Sequence, residues 1–234
     1  MLVPGARDLV TASFAAEDES DRVVSDSGPG TVERPIGSSR TSIMPTRYRG
    51  RAALLFTKMS QRGSAVFVDT TLVLRDGLVP VWEVAGNSRG WHARFDYDRA
   101  KVRVDAVSPD STHRATHTYA YPVFNFNELD AIVRALPLRD GYHTIVALYS
   151  EGDDGIEMDT LSVSAPRSGG AWNVRFADPV IISNYEVDGA TRRITALEVA
   201  YHKWPMRLHF LDSNDHDLST RGGDSVAPHR RAGT

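Results

Sequence analysis

The sequence predicts a mainly β fold of the α+β kind: a strongly curved antiparallel sheet, or half-barrel, with one inserted helix packed on its concave face. Three observations predict it. Short runs of alternating apolar and polar residues recur along the chain, the signature of half-buried strands. Tight-turn dipeptides such as Asp76-Gly77, Asp140-Gly141 and Asp188-Gly189 punctuate them. Between Pro122 and Val146 the apolar period changes once, from strand-like to helical.

In chain order, Arg51 to Lys58 and Ser64 to Arg75 form the first predicted hairpin. In its second arm Val66, Val68, Thr70, Leu72 and Leu74 share one face. Leu78 to Ala85 returns after Asp76-Gly77. Trp91, Ala93, Phe95 and Tyr97 alternate with His92, Arg94 and Asp96. Lys101 to Val107 and His113 to Tyr121 complete an antiparallel meander.

Then Leu129, Ile132, Val133 and Leu136 recur at i, i+3, i+4 and i+7, one face of a helix. Asn125 is its N-cap, Glu128 completes a capping box, and Pro137 stops it. Strands resume over Tyr142–Ser150, Ile156–Ser164, Ala171–Phe176, Val180–Val187, Arg192–Tyr201 and Met206–Leu211. A sheet of so many strands curls, and one helix then plugs or lines its concave side.

The ends read differently. Residues 1–30 are rich in Asp, Glu, Ser, Ala and Gly and read as a mobile arm, with a short helix around Ala6 to Ala16. Residues 31–211 form a single β-rich domain. Residues 212–234 contain too few apolar groups to offset their ordering entropy, and read as a disordered tail.

Composition limits the function classes. With 27 basic and 30 acidic residues and a net charge of −3, the chain has no electrostatic footprint for nucleic acid. It contains no cysteine, which excludes disulfides, thiolate catalysis and cysteine metal sites. No apolar run approaches the ~20 residues of a transmembrane helix. The first 20 residues lack the basic and apolar regions of a signal peptide.

Candidate chemistry is sparse. His113 and His117 have helical metal-ligand spacing, but on a strand they would stand ~13 Å apart, so no metal site is assigned. The acidic stretch Glu151 to Asp159 lacks the ligand spacing of a calcium loop and reads as a solvated hairpin tip. No nucleophile elbow, phosphate loop or zinc-protease motif occurs, so no catalytic residue and no cofactor are assigned. Trp82, Trp91, Trp172 and Trp204 either line a cavity or fill the core. Tyr119, Tyr121, Phe124 and Phe126 sit where sheet and helix would meet.

Several short motifs, in order, resemble a domain of unknown function found in bacterial, mostly exported proteins. They are Asp69-Thr70-Thr71-Leu72-Val73, Leu78-Val79-Pro80-Val81, Phe95-Asp96-Tyr97 and Phe124. Further on come Arg134-Ala135-Leu136-Pro137-Leu138 with Gly141-Tyr142, Trp172-Asn173-Val174, and Tyr185-Glu186-Val187-Asp188 with Arg192 and Ile194. The group is similar to the lipoprotein-carrier and sigma-factor-regulator half-barrels. The resemblance implies a curved sheet covered by helix, a periplasmic or extracellular location, and no catalytic residues to carry over. In the carriers the cavity holds acyl chains. This chain departs from them in showing one clear helix and no export signal.

The resulting expectation is a non-catalytic extracytoplasmic module that binds a lipid, another apolar small molecule or a protein partner. Phe124, Phe126, Leu129, Val133, Trp82 and Trp91 would border its cavity. The alternatives are a hydrolase with an unmarked polar site and a purely structural accessory domain.

Overall fold

A computed structural model describes residues 1–14, 18–26, 34–150, 155–166, 170–202 and 207–212. The strands are β1 (Asp18–Asp26), β2 (Arg34–Tyr48), β3 (Arg51–Arg62), β4 (Ala65–Leu74), β5 (Val79–Asn87), β6 (His92–Asp98), β7 (Lys101–Ser108) and β8 (Ser111–Thr118). A two-residue strand β9 (Phe124–Asn125), a 3-10 turn (Phe126–Glu128) and helix α1 (Leu129–Ala135) follow. The chain continues with β10 (His143–Ser150), β11 (Gly155–Ser164), β12 (Ala171–Ala177), β13 (Ile181–Asp188), β14 (Ile194–Tyr201) and β15 (Arg207–Asp212).

The 15 strands among the described residues form one sheet, in the order 8-7-6-5-4-3-2-1-15-14-13-12-11-10-9. Every neighbouring pair is antiparallel except β9 with β10. The sheet curls until its two ends face each other. Ala85, Ala93, Phe95, Val102, Val104 and Ala106 from β5–β7 share one buried cluster with Ala147 and Tyr149 of β10. No ladder joins β8 to β9, so side chains rather than backbone pairing close the ring.

The helix lies inside this curl, as the period predicts. Ile132, Val133, Ala135 and Leu136 are fully buried in the main core with Leu54, Val73, Leu148, Leu161, Val174 and Phe176. It is shorter than the sequence suggests, because its first turn is 3-10 rather than α. The Asn125 side chain caps that turn, accepting from the Asn127 amide at 2.6 Å.

The N-terminal end corrects an expectation. Residues 1–14 and β1 are not a mobile arm. Leu2 and Phe14 are buried at 2% and 1% exposure. The Leu2 amide donates to the Ile145 carbonyl at 2.7 Å, that of Gly5 to Gly77 at 2.8 Å, and that of Val10 to Ala135 at 2.7 Å. The expected helix reduces to one 3-10 turn, Ala12–Phe14. β1 lies between β2 and β15, joining the two halves of the sheet. Its acidic residues misled because ion pairs compensate them: Arg40 contacts Asp21 at 2.7 Å, and Arg134 contacts Asp18 at 2.8 Å. The expected disordered tail beyond residue 212 and most of the acidic hairpin tip, 151–154, lie outside the described residues.

Candidate functional site

Ladder registers convert the concave face into rows of side chains. Ile43, Phe56, Thr71, Glu83 and Phe95 are mutual partners across β2–β6. They form the innermost row considered, and none is more than 7% exposed. Two residues further along each strand the row is Thr41, Lys58, Asp69 and Ala85. The next holds Ser39, Ser60, Phe67 and Asn87, and the outermost holds Gly37, Arg62 and Ala65. The face therefore runs from a dry floor with one carboxyl to a polar, cationic mouth.

At the floor, β9 and the 3-10 turn meet β5 and β6 through polar groups. Asn125 Nδ2 donates to Glu83 Oε2 and to Tyr97 Oη. Asn127 Nδ2 donates to Glu83 Oε1. Glu83 and Glu128 are only 2% and 1% exposed. Burial, and then the neighbouring Glu83 carboxylate, push the Glu128 carboxyl well above the ordinary carboxylate range. The expected capping box is not completed: the Asn125 side chain caps the turn, but neither Glu128 carboxyl oxygen has a hydrogen-bond partner among the described residues. Burial likewise raises the Tyr97 phenol, with Glu83 the next cause. Beside this group the Tyr149 ring meets Phe95 at 5.9 Å, His117 at 5.8 Å and Tyr119 at 6.3 Å. Polar clamp and aromatic cluster together hold the two sheet ends against each other.

Hollows open on the surface among the described residues, and three of them bear on the site. The groove above the clamp, about 500 Å³, is lined by Ser39, Lys58, Ser60, Arg62, Ala65, Phe67, Asp69, Arg89 and Asn127. Asn127 thus belongs to both the groove wall and the clamp. A smaller cleft of about 200 Å³ lies between Trp91, Val104, Ala106, His113 and Tyr149. A third, about 550 Å³, lies beside β1. Two of its walls, Asp18 and Arg134, already pair with each other, and Arg193 joins them at Asp18.

The six residues expected to border a cavity do not surround one space. Phe124, Leu129 and Val133 are buried in the core at 0%, 5% and 0% exposure. Phe126 packs edge-on against Phe176 at 6.2 Å. Trp82 precedes Glu83 on one strand, so it faces the opposite side of the sheet, beneath the Arg94 guanidinium at 5.7 Å. Trp91 alone among them borders one of these hollows, the smaller cleft. His113 and His117 stand on β8 as a strand pair, and among the described residues no group of three or more metal-ligating side chains converges.

A family model described as "Protein of unknown function (DUF3108)" matches residues 30–163, more than half of the chain. The chain belongs to this family. The DUF3108 match runs from the lead-in to β2 almost to the end of β11, so it contains every residue of the clamp and of the groove. Neither a curated protein nor a solved structure matches the chain.

Sequence reasoning found Asn125 and Glu128 through the capping pattern but missed Glu83, Asn127 and the groove. Glu83 lies 42 residues from Asn125, and no local period connects them. A polar residue alternating into the apolar face of β5 was the available signal.

Proposed function

We propose that the protein is a non-catalytic binding module that takes its ligand in the concave groove between β2–β4 and Asn127. The carrying observation is the contrast within one concave face. The helix fills the inner part with Ile132, Val133 and Leu136, while the outer part remains an open hollow of about 500 Å³. That volume lies in the range of small-molecule sites, ~300–1,000 Å³. Burial of Glu83 and Glu128 favours binding over hydrolysis, because a carboxyl pair sealed from solvent cannot reach a substrate in the groove. The proposed compartment is extracytoplasmic and rests on the family resemblance; an alkaline phosphatase fusion to the natural gene would be active only if the product is exported.

The test uses N-phenyl-1-naphthylamine, a neutral apolar fluorophore. Its emission should rise with the protein and stay at background with Ala65→Trp, which fills the groove mouth. Circular dichroism would verify that the variant remains folded. Absence of binding to the parent protein, or equal binding to a folded Ala65→Trp variant, would overturn the reading.

A further inference from the structure

We infer that the groove selects a compact organic anion: an acidic group carried on a flat or aliphatic body. The inference deepens the proposed function and rests on it. Three cationic side chains, Lys58, Arg62 and Arg89, line the groove against one carboxylate, Asp69. Lys58 and Asp69 are direct ladder partners, and their charges act on each other. Burial disfavours the charged form of Asp69, which further lowers its opposition to an incoming anion. Arg62 and Arg89 have no carboxylate within ion-pair reach among the described residues. Arg40, Arg94, Arg114, Arg134 and Arg193, by contrast, each have at least one.

The positions of these groups define the ligand's shape. Arg62 shares the outermost row with Ala65, and Phe67 stands between that row and Lys58. Rows two residues apart are separated by ~6.8 Å, so Arg62 and Lys58 flank Phe67 along a span of ~13 Å. Phe67 is 37% exposed, with its ring available as an apolar platform inside a cationic frame. Arginine forks hold carboxylates in bidentate fashion, and partial exclusion from water strengthens the contact. A cationic ligand would meet three like charges; a neutral one would gain only Phe67 and Ala65. Ser39, Ser60 and the Asn127 amide add neutral hydrogen-bonding capacity along the wall.

The experiment compares three ligands of one skeleton by calorimetry at low salt: 2-naphthoate, 2-naphthalenemethanol and 2-naphthylmethylamine. Naphthoate should bind at least tenfold more tightly than the alcohol, and the ammonium form more weakly than either. The double variant Arg62→Gln/Arg89→Gln should bring naphthoate to the level of the alcohol and leave the alcohol unchanged. Phe67→Ala should weaken all three. Equal affinity for the three ligands, or unchanged naphthoate binding in the double variant, overturns the anion inference while the groove reading stands. Failure of all three to bind overturns both.

Discussion

Asn125 Nδ2 bridges Glu83 Oε2 and Tyr97 Oη, so one amide links the short strand β9 to β5 and β6 at the opposite end of the sheet. The same side chain caps the turn that leads into α1. Backbone pairing does not close the curled sheet, and this amide is one of the side-chain contacts that do. Asn125→Ala removes the cap and leaves Glu83 buried with one amide donor fewer. Together these should cost about 2–4 kcal/mol. Urea denaturation followed by near-ultraviolet circular dichroism measures it, and a loss below about 1 kcal/mol would show that the clamp is incidental.

The raised Glu128 carboxyl makes stability depend on pH in a defined direction. Its folded titration lies above that of the unfolded chain, so its contribution is fully present below the ordinary carboxylate range. The contribution is lost as pH rises through the elevated value, because ionisation then places a second buried negative charge beside Glu83. Glu128→Gln should therefore be more stable than the parent at pH 8, by about 1–3 kcal/mol, with the difference shrinking toward pH 4. Thermal melts of both proteins across that range would check it. A difference that stays constant with pH contradicts the assignment.

The legibility of the fold divides along physical lines. Most strands from β3 onward, though not the two-residue β9, and the capped helix are legible from their local apolar period and turn residues. β1 is not, since Asp18, Asp21 and Arg22 are accommodated by Arg134, Arg40 and Asp130, which lie far away in sequence. β2 shows no strand period for a related reason: its sequence RPIGSSRTSIMPTRY buries only Ser39 and Ile43. At the site, the Asn125 cap is legible from spacing, whereas the Glu83 contacts and the rows of the groove exist only once strand registers are set.

Gly77 tests the docked N-terminus. Its φ is +71°, and a Cβ there would stand 2.4 Å from the Gly5 Cα. Gly77→Ala should displace residues 1–14 and cost about 1–3 kcal/mol through backbone strain and lost packing. Amide hydrogen exchange at Leu2, Gly5 and Val10 should accelerate while the β3–β4 ladder stays protected. Unchanged protection at these amides would mean that the segment does not depend on this contact.

The helix as plug yields a core prediction. Ile132 is fully buried in the main cluster. Ile132→Ala should destabilise by about 2–5 kcal/mol, the usual cost of such a deletion in a packed interior. It should leave naphthoate affinity within twofold, because the groove lies outside the helix-filled region. A large affinity change with a small stability change would place the ligand under the helix instead.

The central claim is that ligand occupies the open groove and not the helix-filled interior. The most direct measurement is a ¹H–¹⁵N correlation titration of the labelled protein with 2-naphthoate. The account predicts shifts concentrated at Lys58, Ser60, Ala65, Phe67, Arg89 and the Asn127 amide, with Ile132, Val133 and Leu136 unmoved. Shifts centred on those three helix-side residues, or on Trp91 and Tyr149, would contradict it.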